Sequence, residues 1–246
     1  MDAHAPAWCR NSLLSALPPA ELAQLRPLLT RVQLVHHQVL YEAGEHVATV
    51  FFVEGGIVSM LAEEEDGRDT GVGLVGREGM AGLSALLGSR AVSFNRVVVT
   101  APGAAFRMPA HVLRSSLEAL PVLRRLLFEA LEVLLAQTAQ VAACSTRHPM
   151  PQRLPHWLLM IRDQVDGDEL ALTQETLSTL LGVRRTAITV TLRSLQEAGL
   201  VKQRRGCVLV CDRPGLEAAA CGCYGRVRAF AAKMAARAPG AAGCAA

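Results

Sequence analysis

The chain has 246 residues, 51% hydrophobic and 19% charged, enough for two compact domains and unlike a disordered or fibrous protein. Its net charge of +3 is unevenly spread: residues 184–213 hold seven basic side chains against two acidic ones, +5, leaving −2 elsewhere. Such a concentration suits contact with nucleic acid, a solvated basic face being the alternative.

The odd count of seven cysteines, with no export signal in MDAHAPAWCRNSLLSAL, points to reduced thiols in a cytoplasmic protein rather than to a disulfide framework. No stretch reaches the ~18 uninterrupted apolar residues of a membrane helix, so no membrane partner is expected.

In chain order, LPPAELAQLRPLL (17–29) reads as a short helix. Residues 31–108 then break into short apolar runs separated by turn residues, the pattern of a β-sandwich or jelly roll rather than of βαβ units. Glu54-Gly55-Gly56 and EDGRD (65–69) read as hairpin turns. The glycine-rich run GVGLVGREGMAG (71–82) matches neither a Walker loop nor a dinucleotide fingerprint, and it fits strand turns. With no nucleophile–base pair and no HExxH motif, no enzymatic activity is expected.

At Pro121 the period changes. From there to about Ser145 there is neither Pro nor Gly, a helix of roughly 37 Å. Leu123, Leu127, Ala130, Leu134, Gln137, Val141 and Cys144 recur at alternating steps of four and three, a coiled-coil seam. Leu126, Val133 and Leu135 form a second apolar stripe. Two stripes suit a helix that faces both its own domain and a second copy across a two-fold axis; a core helix buried all round is the alternative. Pro149 and Pro151 bar continuation and mark a boundary.

The following segment carries the chemistry. In LTQETLSTLLGVRRTAITVTLRSLQEAGL, Thr173 can cap a helix whose Leu177, Leu180 and Leu181 point inward, and Gly182 supplies a tight turn. A second helix buries Ile188, Leu192 and Leu195, ends at Gly199 and leaves Arg185, Thr186, Thr189, Val190 and Arg193 outside. Those side chains suit a major groove: arginine can bond guanine bidentately, threonine can meet phosphate or a thymine methyl, and valine makes apolar contact. LVKQRRGCVLV then reads as a hairpin with Arg204-Arg205-Gly206 at its tip, a wing along the phosphate backbone. A ligand-gated module whose winged helix docks protein is the competing reading.

With these motifs in place the sequence resembles the cAMP receptor protein/fumarate-nitrate regulator (Crp/Fnr) family over residues 15–225. YEAGEHVATVFFVEGGIVSM is similar to the family's effector-domain hairpin, and TQETLSTLLGVRRTAITVTLRSLQEAGLV to its DNA-reading unit. The resemblance implies an α+β chain: a jelly-roll effector domain (1–120), a dimerisation helix (121–146), a winged helix-turn-helix (147–225) and an Ala-rich tail (226–246), frayed or disordered. It implies a homodimer on palindromic DNA and contact with RNA polymerase. Thr173, Gln174, Arg184, Arg185, Thr186, Thr189, Val190, Arg193, Arg204 and Arg205 become the DNA-contacting set, with Arg185 in the place of the family's recognition arginine. Thr186 and Val190 replace a common Glu and a common Arg, so the usual half-site does not follow. Arg184 stands where a capping Ser is frequent.

In members that bind cyclic nucleotides, a Gly-Glu pair holds the ribose and an Arg-Ser/Thr pair the phosphate. Here Gly82-Leu83 and Ser93-Phe94 take those places and only Thr138 matches, which speaks against conventionally bound cAMP. An iron–sulfur cluster would need several N-terminal cysteines, and only Cys9 is there. Haem on His36-His37 is disfavoured because adjacent strand residues point to opposite faces. Cys207, Cys211, Cys221 and Cys223 lack paired CxxC spacing, so no metal is expected and the effector is left unnamed.

Overall fold

A computed structural model describes residues 9–236 apart from Glu64, Asp66 and Ser89. Two short helices, α1 (Ser12–Ser15) and α2 (Pro19–Leu25), precede the strands, and a 3-10 turn over Arg26–Leu28 completes the helix expected at 17–29. The apolar runs become β1 (Thr30–Leu34), β2 (Val39–Tyr41), β3 (Thr49–Glu63), β4 (Asp69–Val75), β5 (Met80–Ala81) and β6 (Arg96–Pro109). They form one antiparallel sheet in the order β1-β6-β3-β4, with β2 also on β6 and β5 also on β3. β3 and β4 make the hairpin expected around EDGRD.

Glu54-Gly55-Gly56 is not a hairpin: β3 runs through it against β6, and the register shifts between Val53 and Val58. Two backbones pass unusually close there. A Cβ on Gly103 would fall 1.9 Å from the Gly55 carbonyl oxygen, and Gly56 has φ +84°. The glycines therefore bend the strand instead of reversing it. Glu54 turns inward, where Arg31 pairs with it at 2.7 Å and the Arg10 N–H donates to it at 3.2 Å.

A short helix, α3 (Ala110–Ser116), leads to the long α4 (Pro121–Arg147). No side chain within α4 caps its start. Glu21 of α2 does so instead, accepting the Val122 and Leu123 N–H groups at 2.9 Å each. By length and composition α4 could cross a membrane, yet Leu123, Leu126 and Leu127 are buried in the core beneath the sheet with Phe52, Leu113 and Leu120.

This burial corrects the seam read from the sequence. Leu123 and Leu127 are 0% exposed within a single chain, Val141 packs in a second core, and Ala130 and Leu134 lie half-buried against the first. The Gln137 side-chain oxygen accepts the Leu74 N–H at 2.8 Å. A 3.5-residue repeat records a buried stripe without saying what buries it, and here the chain's own sheet does. The more exposed stripe is another: Phe128 (42% exposed), Leu135 (63%) and Ala142, with half-buried Leu131 and Thr138 between them at alternating steps of three and four, Leu131 also touching the first core.

Beyond Pro149, with Pro151 in the first turn of the next helix, come α5 (Met150–Arg162), β7 (Glu169–Leu170), α6 (Gln174–Leu181), α7 (Arg185–Glu197), β8 (Val201–Arg204), β9 (Cys207–Val210), α8 (Arg213–Ala219) and α9 (Cys223–Ala236). The stretch from Arg226 to Ala236 is therefore helix packed on α4, not a frayed tail; residues 237–246 lie outside the described residues. The second core joins Trp157, Leu177 and Leu180 to Ile57, Leu61 and Leu74 of the sheet, so α6 rests on β4. The fit depends on bare backbone: a Cβ on Gly71 would lie 2.6 Å from the Leu180 carbonyl oxygen, and one on Gly182 2.7 Å from the Thr70 hydroxyl.

Candidate nucleic-acid interface

Thr173 takes an extended conformation before α6, and its hydroxyl accepts the Thr176 N–H at 3.0 Å, which satisfies one of the helix's open donors. Leu177, Leu180 and Leu181 are buried. Gly182 ends the helix at φ +62°, and the Ser178 hydroxyl secures the turn by donating to the Val183 carbonyl at 2.8 Å. In α7 the buried face is Ile188, Leu192 and Leu195, joined by Thr191, which the sequence reading passed over because its hydroxyl looks polar. That hydroxyl is satisfied by the Ala187 carbonyl at 2.8 Å.

Arg184, Arg185, Thr186, Thr189, Val190 (70% exposed) and Arg193 all stand on the outer side. Arg184 precedes α7 without capping it. Arg193 spends its guanidinium on Glu197 at 2.9 Å, an exposed pair that contributes little to stability.

β8 and β9 form the wing, with Gly206 at φ +75° in the tip beside exposed Arg204 and Arg205, and β7 adds a third strand on β9. Gln174, chosen from the sequence only as a contact, also ties the unit together. Its oxygen accepts the Thr189 hydroxyl at 2.7 Å, and its amide donates to Gln203 of the wing at 2.9 Å. A cleft of about 410 Å³ opens between the start of α6, the start of α7 and the wing, lined among others by Thr173, Arg185, Gln203 and Arg204. Helix N–H groups, hydroxyls and two guanidiniums around one cleft are the groups that take a phosphate oxygen.

The positions aligned with the nucleotide pocket are differently placed. Leu83 is buried in the apolar core at the start of a 3-10 turn. Gly82, at φ +92°, lies so close to Tyr41 that a Cβ would be 2.6 Å from its hydroxyl. The Ser93 hydroxyl donates to the Asn95 carbonyl at 2.6 Å, and Phe94 points outward, 88% exposed. Thr138 turns its hydroxyl back to the Leu134 carbonyl at 3.0 Å.

The sequence reading weighed Cys221 and Cys223 with Cys207 and Cys211, and missed the cluster to which the first two belong. Cys144 and His148 at the end of α4 meet Cys221 and Cys223 at the start of α9, with Cys207 and Cys211 away in the wing strand and just beyond it. The available signal was a Cys-x3-His pair on one helical face. Beside it lies His156, its pKa pushed down to about 4 by burial and by the nearby charges of His148 and Arg153.

Two domain models match the chain: residues 31–119 fit the cyclic nucleotide-binding domain, and residues 152–219 the Crp-like helix-turn-helix domain. The chain belongs to the Crp/Fnr family. It is thus a DNA-binding transcription regulator of that type, a family of regulators rather than enzymes. No curated protein matches it.

Solved structures share this regulator's fold. They include the c-di-GMP-responsive global regulator CLP of Xanthomonas campestris, at TM-score 0.65 and 18% identity over 79% of this chain and 100% of that one. FixK2 of Bradyrhizobium japonicum matches at 0.67 and 16%, over 78% and 98%. A CRP-family regulator of Thermus thermophilus matches at 0.62 and 20%, over 77% and 96%. At these identities the likeness speaks for the fold alone.

Proposed function

We propose that this Crp/Fnr regulator binds palindromic operators as a cytoplasmic homodimer, with α7 in the major groove and the wing on the flanking backbone. The observation that carries this reading is the outer face of α7, where Arg185, Thr186, Thr189 and Val190 stand exposed beside the cleft shared with the wing. Arg185 heads the helix and reads a base edge; Thr186 and Val190 give the half-site its own character; Arg204 and Arg205 meet phosphate. The exposed side chains of the open α4 stripe, Phe128, Leu135 and Ala142, support a second copy of α4 as its cover, rather than lipid. RNA polymerase is the proposed further partner, and the protein answers an effector other than conventionally bound cAMP or acts independently of one.

The test is a mobility-shift titration over a salt series with a selected operator. Affinity falls steeply with salt, and Arg185→Ala costs about 1–3 kcal/mol and relaxes discrimination at one base pair. Arg205→Ala weakens all sequences alike and lowers the salt slope by about one. Operator binding indifferent to Arg185 would favour a winged helix that docks protein instead.

A further inference from the structure

Three of the described cysteines, Cys144, Cys221 and Cys223, form a buried cluster containing no other apolar side chain. A core patch built only of thiols is poor packing material, since each sulfur is a small hydrophobe beside neighbours no larger than itself. His148 closes the group: one donor atom from each of the four residues lies within 4.8 Å of all the others. The Cys144 and Cys221 sulfurs are 3.4 Å apart, and the Cys223 sulfur lies 3.5 Å from Nδ1 of His148.

We propose that Cys144, His148, Cys221 and Cys223 bind one Zn2+ tetrahedrally, at the junction of the long helix and the DNA-binding unit. Zinc bonded to sulfur and imidazole nitrogen at about 2.0–2.3 Å sets neighbouring donors about 3.5–3.8 Å apart, the spacing these pairs approach. Soft thiolates with an imidazole select zinc over the hard oxygen-seeking cations. A disulfide would engage two of the four groups and leave the other two unexplained. An iron–sulfur cluster holds several metal atoms between its ligands and spreads them wider than a single ion does.

The surroundings complete the case. Three thiolates around Zn2+ carry a net negative charge, which needs hydrogen-bond donors around it. The Gln140 amide donates to the Cys223 sulfur at 3.0 Å. Nδ1 of buried His156 sits 3.6 Å from the Cys144 sulfur and 3.5 Å from that of Cys221, and its Nε2 has no partner among the described residues. An N–H at Nδ1 would be shared between the two sulfurs. His148, half-buried, is the edge through which an ion enters.

Position gives the site its purpose. Cys144 and Cys221 are 77 residues apart, and between them lie α5, the helix-turn-helix, the wing and α8. One ion therefore fastens both ends of the DNA-reading unit to each other and to the tip of α4. It stabilises the fold by closing a long loop and by preventing α9 from leaving α4.

The experiment uses the purified full-length protein under reducing conditions, with zinc by plasma mass spectrometry and coordination by X-ray absorption. The expected result is close to one zinc per chain, bound by three sulfurs and one nitrogen, with a lower Tm after chelation that zinc restores. Chelated protein titrated with Co2+ should develop the charge-transfer and visible bands of tetrahedral thiolate-bound cobalt. Cys223→Ser should lose most of the metal and Cys211→Ser none. His148→Ala, altered at the partly exposed edge, should remain folded with weakened cobalt binding, which covers the case in which a buried cysteine variant fails to fold. Wild-type protein that copurifies without zinc and gives no thiolate–cobalt signal overturns the proposal. So does iron with acid-labile sulfide, or metal content unchanged in both Cys223→Ser and His148→Ala.

Discussion

Leu83 and Phe94 bear directly on whether cAMP can sit in this domain in the family's usual pose. A ribose hydroxyl needs an acceptor and a cyclic phosphate needs a cation, because burying either without a partner costs several kcal/mol. Leu83 is packed into the apolar core and Phe94 faces solvent, so neither supplies those groups. Thr138 alone, already bonded to the Leu134 carbonyl, cannot replace them. Titration calorimetry with cAMP is expected to show no tight complex, and a submicromolar Kd would overturn that expectation. The faces of α7 were legible from the sequence because a 3.6-residue period separates Ile188, Leu192 and Leu195 from Arg185 and Val190 whatever surrounds the helix. The bonds of Gln174 to Thr189 and Gln203 were not, since they join three elements that only the fold brings together.

At the scale of the element, α4 shows where periodicity stops being informative. Its length, its proline start and its end before Pro149 follow from local chemistry, and the sequence carries all three. Which of its stripes meets the sheet depends on the helix's rotation about its axis, fixed by Glu21 at one end and by Gln137 on Leu74 further along. The consequence can be tested with two leucines. Leu135→Glu places a charge on the exposed stripe and should weaken self-association at least tenfold in sedimentation equilibrium, with little change in monomer stability. Leu127→Ala should instead cost about 2–5 kcal/mol in denaturant unfolding, as buried leucines do. If Leu135→Glu associates like the wild type, the exposed stripe is not the seam. Gly55-Gly56 was misread for a related reason: glycine signals a need for backbone freedom, and a close strand crossing needs it as much as a turn does.

For the whole molecule, the governing contact is that of α6 on β4. Gly71 lets its strand approach the Leu180 carbonyl and the Trp157 ring, and Gly182 leaves room for the Thr70 side chain, so the sheet and the reading unit meet at close range. Gly71→Val has no room beside the Leu180 carbonyl. Overpacking of this kind costs about 1–3 kcal/mol, and the contact is expected to open. Hydrogen exchange should then quicken at β4 and α6 while the wing keeps its protection; unchanged exchange at both would show that the contact is not a constraint. In mechanical terms, α4 is a shaft with a bearing at each end: the carboxylate of Glu21 grips its first turn, and α9 lies along its last. A shaft mounted that way resists both sliding and turning, so the sheet near Leu123 and the DNA-reading helices at the far end are held in one fixed alignment.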